Sequence, residues 1–252
     1  MNFLKSLGST NVLVNTKFVS YEFARYASSL PSLKIYSLRR RLAEKLSNKY
    51  DLERVQEIGP DLACLEWLME CGSTRVIMND QENICSIRQM KEYISFALNN
   101  NTTQNTRPSA LPNDTSYVLK WKHVPPNYIV NVDASDSAIA NEGFQYFRDL
   151  RMLSVLKLNF CDYFGDEALR ELALGRPAQT LSDIEIVLNP SITDGSVYWI
   201  SRLKALRRAH FYFLPYISNR QAFVRQLKTS VPKCKVTFPE IGNIGYGYSD
   251  KK

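Results

Sequence analysis

Only two histidines, His123 and His210, occur in the 252-residue chain, so a Ser-His-Asp triad or a histidine-ligated metal would have to use one of them. The five cysteines, Cys64, Cys71, Cys85, Cys161 and Cys234, are an odd number with no C-x-x-C pair, which argues against a disulfide framework and structural zinc and fits a reducing compartment. No G-x-S-x-G elbow and no G-x-x-x-x-G-K-S/T phosphate loop is present. The nearest glycine cluster, Gly242-x-x-Gly245-x-Gly247, has no helix pattern after it and reads as a flexible end rather than a dinucleotide site. Apolar runs are only a few residues long, far below the ~18 needed to cross a bilayer. Peripheral membrane attachment stays open.

What is present is material for a core: 44% of residues are apolar and 12% aromatic. The net charge of +7 is carried at one end. Residues 1–50 hold nine Lys and Arg against Glu22 and Glu44, and the remaining 202 residues balance at 23 bases and 23 acids. The body therefore has no global cationic field for phosphate backbones, which counts against nucleic acid.

Residues 1–26 are acid-poor and rich in Ser, Asn and aromatics, with Lys5, Lys17 and Arg25 scattered among them, the composition of an organelle transit peptide rather than a secretory signal. Arg25 before Tyr26 and Ala27-Ser28-Ser29 places a matrix-protease cut near Tyr26, although a tail with no addressing role shares this composition. Residues 34–49 read as a helix with Ile35, Leu38, Leu42 and Leu46 on one face and Arg39, Arg40, Arg41, Lys45 and Lys49 on the rest. Such a helix suits an anionic lipid surface, an acidic partner subunit, or packing on its own domain with the basic face solvated.

Two short helices are expected to meet at Gly59-Pro60-Asp61, the second carrying Ala63, Leu65, Trp67 and Leu68 and stopping at Cys71-Gly72. Residues 27–98 thus read as an N-terminal helical module, 99–123 as a polar loop and linker, and 240–252 as a tail.

Between residues 124 and 239 the chain repeats itself. Pairs of apolar residues separated by one recur as Val130/Val132, Leu156/Leu158, Ile184/Ile186, Ala209/Phe211 and Val236/Phe238, at spacings of 26, 28, 25 and 27. Leu153, Leu181 and Leu206 stand three residues before three of these pairs. Three residues after the second member of the first four pairs comes Ser135, Cys161, Asn189 or, deviating, Leu214, where a leucine-rich repeat turns a polar side chain inward to satisfy backbone groups freed at the strand end. Leu169/Leu172, Val197/Ile200 and Val224/Leu227 fit the return helices. The fold class is therefore α/β, a leucine-rich-repeat-like solenoid of about four to five strand-turn-helix units preceded by a small helical module.

The strand residues Asn131, Lys157, Glu185 and His210 alternate with the inward pairs and would line the concave face as partner-binding residues. Asp133 and Asp136 flank the first strand end, where turn formation outweighs acid-base or cation work. Cys64 and Cys71 share a helix face, a redox arrangement or simply buried packing. No enzyme follows from these residues.

The block from Gly59-Pro60-Asp61 through Trp67-Leu68 to Cys71-Gly72, then Val132-Asp133-Ala134-Ser135-Asp136-Ser137, then the repeat ending Phe223 to Pro232, resembles the mitochondrial ATP synthase subunit s family, also called coupling factor B. The distal membrane-arm assembly complex protein 2 family shares the repeats and is less similar at the G-P-D helix. The resemblance implies a non-enzymatic protein on the matrix side of the inner mitochondrial membrane, coupling proton flow to ATP synthesis through contacts with ATP synthase subunits. It also implies Mg2+ held by backbone carbonyls at positions matching Gly72 and Ser135, where Ser replaces the family's Thr. The family's C-x-C pair is replaced by Asn159 and Cys161, which speaks against a vicinal-dithiol role. Two other readings remain: an assembly factor for the membrane arm of respiratory complex I, and a leucine-rich-repeat adaptor of a ubiquitin ligase.

Overall fold

The computed structural model describes residues 47–103 and 127–239. The transit-like segment, Arg39 to Lys45 of the basic helix, the loop beyond Thr103, His123 and the tail from 240 lie outside the described residues.

Seven strands form one mixed sheet in the order β2-β1-β3-β4-β5-β6-β7. They are β1 Arg75–Met78, β2 Asn83–Ile84, β3 Ile129–Asp133, β4 Val155–Lys157, β5 Asp183–Val187, β6 Arg208–Tyr212 and β7 Lys235–Thr237. The pairs from β3 to β7 are parallel, and β1 pairs antiparallel with both β2 and β3. Parallel neighbours need crossovers, and these are supplied by the 3-10 helix Asn141–Phe147 and by the helices Asp166–Leu174, Ser196–Ile200 and Arg220–Ser230. The segment expected to be wholly helical therefore also gives the sheet two strands. Arg75-Val76-Ile77-Met78 is too short for a helix repeat, and its alternating burial fits a strand.

Helix α1, Leu52–Ile58, is capped by Asp51, whose Oδ1 accepts from the Arg54 N–H at 3.0 Å. Helix α2, Pro60–Glu70, starts after Gly59 at φ 95°, with Pro60 in the first turn where its missing N–H costs nothing. It ends in a Schellman turn: Gly72 takes φ 83°, its N–H donates to Met69 O, and the Ser73 N–H donates to Leu68 O at 2.9 Å. The G-P and C-G of the sequence block are thus the two ends of one buried helix. Helix α3, Ile87–Thr103, buries Tyr93, Ile94 and Ala97 on one side and extends five residues into the stretch read as loop. Helices α4 (Asp166–Leu174), α5 (Ser196–Ile200) and α6 (Arg220–Ser230) follow β4, β5 and β6.

Lateral register places Val132, Leu156, Ile184, Ala209 and Val236 side by side. The first unit is therefore displaced by two residues from its expected position: Val132/Ala134, not Val130/Val132, is the inward pair, and Ser137, not Ser135, is the buried strand-end residue. The shift arises where β3 meets the antiparallel β1. Met78 pairs with Ile129 and Ile77 with Asn131, so Val130 is bulged out with no partner on β1.

Leu153, Leu181 and Leu206 are buried beside the inward pairs, each such side chain contributing ~1.5–3 kcal/mol of burial. Beneath the first unit lies an aromatic cluster. Trp67 stacks on Tyr146 at 5.3 Å and meets Phe147 edge-on at 5.3 Å. Its indole N–H donates to Asn48 Oδ1, which also takes the Ala140 N–H.

Candidate functional site

The inward residues of β3 to β6 are almost fully buried, whereas Asn131, Lys157, Glu185 and His210 are half-buried on the opposite face of the sheet. Pairing brings Asp133, Lys157, Glu185, His210 and Thr237 into one transverse row, while Asn131 belongs to the next, with Val155, Asp183, Arg208 and Lys235. Cross-strand neighbours on one face interact directly, and most of these charges answer one another. Lys157 Nζ lies 4.0 Å from Glu185 Oε2, and Asn159 Nδ2 donates to Glu185 Oε1 at 2.8 Å. Arg208 pairs with Asp183. His210 Nδ1 is hydrogen-bonded to Thr237 Oγ1 at 2.8 Å, so it is tied into the face rather than freely exposed.

The strand ends carry a recurrent turn. Asp136, Phe160, Leu188 and Phe213 all take φ between 49° and 59°, a conformation costly for residues other than Gly, Asn or Asp. The next residue of each unit, Ser137, Cys161, Asn189 and Leu214, is buried. Asn189 does the most there. Its Nδ2 donates to the carbonyls of Cys161 at 2.7 Å and Phe164 at 3.1 Å, and its Oδ1 accepts from the N–H groups of Ser191 and Ile192. The Cys161 thiol donates to Ala134 O at 3.1 Å.

These turns leave Phe160, Leu188 and Phe213 outside, at 53%, 37% and 37% exposure. Successive turns are joined by the Phe160 N–H to Val187 O at 2.8 Å and the Leu188 N–H to Tyr212 O at 3.0 Å. The sequence reading passed over these three residues; the signal was an apolar residue immediately before each inward strand-end position.

Charge segregates along the strands. The stretches that leave them, 133–137, 158–167, 187–196 and 212–219, hold six acids and no Lys, Arg or His; those that enter them, 148–154, 175–183, 201–208 and 231–235, hold nine bases and two acids. A body that sums to zero is thus strongly polarised.

Gly72 and Ser135 come from two turns that the fold stitches together. Thr74 Oγ1 donates to Ser135 O at 2.9 Å, and the Ala138 N–H donates to Cys71 O at 2.9 Å. Nearby in the chain, buried Ser73 Oγ has no hydrogen-bond partner. Such a set of neutral oxygens has the donor chemistry of a hard cation. Asp133 is otherwise engaged, its Oδ1 accepting from the Ser135 hydroxyl at 2.6 Å and amide at 3.2 Å in a turn. Among the described residues no group of three or more His, Cys, Asp or Glu could hold a metal. Of the basic residues in that segment, only Lys49 is described; it is exposed, and its carbonyl accepts from the Tyr146 hydroxyl.

Asp61 is the buried charge of the G-P-D block. Its Oδ1 accepts from the Ile129 N–H at 2.9 Å, tying the first turn of α2 to the start of β3. Its Oδ2 is buried without a hydrogen-bond partner. Desolvation pushes its pKa up to about 7, against smaller lowering effects of the Ile129 hydrogen bond and Arg151. Burial likewise raises Cys71 to about 12, and Cys64 well above the ordinary thiol range.

With this geometry in place, comparison with known proteins is informative. The human protein named ATP synthase subunit s, mitochondrial, is 29% identical over 190 residues, 75% of this chain and 80% of the relative. The chain is thus similar to proteins of the ATP synthase subunit s family over three quarters of its length. Subunit s proteins of Pongo abelii and Bos taurus match over the same shares at 29% and 27% identity. No protein-family model matches the chain. Kinship with subunit s agrees with the resemblance carried by the G-P-D helix, whose two ends and buried carboxylate are structurally specified here. None of the described helices is long and apolar enough to cross a membrane.

Proposed function

We propose that this chain is a non-enzymatic protein of the mitochondrial matrix, peripheral to the inner membrane, that associates with the ATP synthase and tunes the coupling of proton flow to ATP synthesis through protein contacts. Its body is a leucine-rich-repeat solenoid: each unit is a short parallel strand, a tight turn and a helical return, so surfaces are presented in rows. The observation that carries the reading is the kinship with proteins named mitochondrial ATP synthase subunit s. Thiols offered no support for chemistry, since Cys64, Cys71, Cys161 and Cys234 are buried and their pKa values are raised by desolvation. Mg2+ belongs to the same proposal: the Gly72 and Ser135 carbonyls would hold it, and it would supply a fixed positive charge rather than reaction chemistry.

The test is native electrophoresis of digitonin-solubilised mitochondria carrying the tagged full-length chain. Comigration with the ATP synthase is expected, together with lowered coupled ATP synthesis on depletion. Comigration with membrane-arm intermediates of complex I would replace this reading by the assembly-factor one, and full-length protein confined to the cytosol would overturn both. Calorimetric titration with Mg2+ checks the ion separately.

A further inference from the structure

We propose that the strand-exit edge carrying Phe160, Leu188 and Phe213 is a docking site for a cationic amphipathic helix of a partner protein. The inference goes beyond the association proposed above and does not depend on which complex supplies the helix.

Three observations converge on this edge. First, its apolar side chains are exposed in consecutive units, with Tyr216, three residues after the last of them, at 64% exposure. Isolated exposed apolar residues are ordinary, whereas a contiguous row marks an interaction surface. Second, the spacing suits a helix. Neighbouring strands lie ~4.8 Å apart, and a helix laid across them offers one apolar residue per turn of ~5.4 Å. Over three units the mismatch is only ~1 Å. Third, the edge is acidic. Asp136, Asp162, Asp166, Glu167 and Asp194 lie in the strand-exit stretches that carry the row, and no base occurs in these stretches. Several stand in fixed positions: Asp166 accepts from the Thr193 N–H at 3.0 Å and Asp194 from the Ser218 N–H at 3.1 Å. Such an edge repels anionic lipid and attracts Lys and Arg flanking an apolar stripe.

The open face is a weaker candidate for this partner, because Lys157 with Glu185 and Arg208 with Asp183 already neutralise each other. The turn conformation adds an experimental lever. At φ near 50–60° asparagine is more comfortable than Phe or Leu, so Phe160→Asn, Leu188→Asn and Phe213→Asn together remove the row and leave the backbone at least as stable.

The experiment uses the full-length chain and a fluorescein-labelled 18-residue peptide with leucine at i, i+4, i+7 and i+11 and lysine on the remaining faces, followed by anisotropy. Wild type is expected to bind it, and the triple asparagine variant to bind at least about tenfold more weakly, the equivalent of ~1.4 kcal/mol, with a melting temperature unchanged or raised. A peptide with glutamate replacing lysine is expected not to bind, and the open-face variant Lys157→Ala/Glu185→Ala/His210→Ala to bind as wild type. No binding of the lysine peptide to wild type, equal binding by the asparagine variant, or loss confined to the open-face variant would each overturn the proposal.

Discussion

Asp61→Asn tests whether a buried carboxyl has been kept for its shape rather than its charge. The side chain is 2% exposed, one oxygen receives the Ile129 N–H, and the other has no hydrogen-bond partner. Asparagine preserves the accepting oxygen and cannot ionise. The folded protein holds the Asp61 proton up to about pH 7, whereas the unfolded chain releases it near the ordinary value of 3.8. Across that window the folded state binds the extra proton, so the stability due to the neutral carboxyl is complete below about pH 4 and is lost as pH rises through 7. The pKa difference corresponds to about 4 kcal/mol if burial persists in the ionised form, and relaxation around the charge lowers this to about 2 kcal/mol. Urea unfolding followed by tryptophan fluorescence, with Trp67 buried in the same helix as Asp61, gives the difference directly. The variant is expected to match wild type within about 1 kcal/mol at pH 4.5 and to exceed it by about 2–4 kcal/mol at pH 8.5. Stability curves for the two proteins that run parallel from pH 4.5 to 8.5 would refute the argument.

Asn189→Ala deprives two carbonyls and two amides of their partner; chemical denaturation should show a loss of about 3 kcal/mol or more, since each stranded buried group costs ~1–3 kcal/mol. Gly143→Ala places a methyl group 2.4 Å from Trp67 Cζ2, and calorimetry should report destabilisation of about 1–3 kcal/mol from overpacking. Native protein treated with a maleimide should modify Cys85, the one exposed thiol, and spare the four buried ones until denatured; labelling of Cys64 at a comparable rate would contradict the packing of α2.

The strands from β4 onward were legible because period and burial agree there: Leu156, Ile184, Ala209 and Val236 are all inward and in register. The first unit misled because its neighbour on one side is antiparallel, and the bulge at Val130 moves the inward pair by two without altering the apolar pattern. Strands β1 and β2 were missed because four- and two-residue segments carry little periodicity. Site legibility was lower still. The alternation rule located Lys157, Glu185 and His210 on one face but not that the first two pair and the third is held by Thr237. Phe160, Leu188 and Phe213 were legible only as apolar residues immediately before the inward strand-end positions, because the positive φ they adopt leaves no trace in the residue type when glycine is not used.

The two ends of the sheet have a consequence for how copies of this chain behave when crowded. One margin is the two-residue β2, and the other is the three-residue β7, followed by Phe238 beneath the Arg220 guanidinium at 5.3 Å. Neither described margin offers a length of unpaired backbone sufficient to template a neighbour's strand. Extension into fibres by edge addition is thereby discouraged at both termini of the stack, and recognition of other molecules is left to side chains rather than to main-chain pairing.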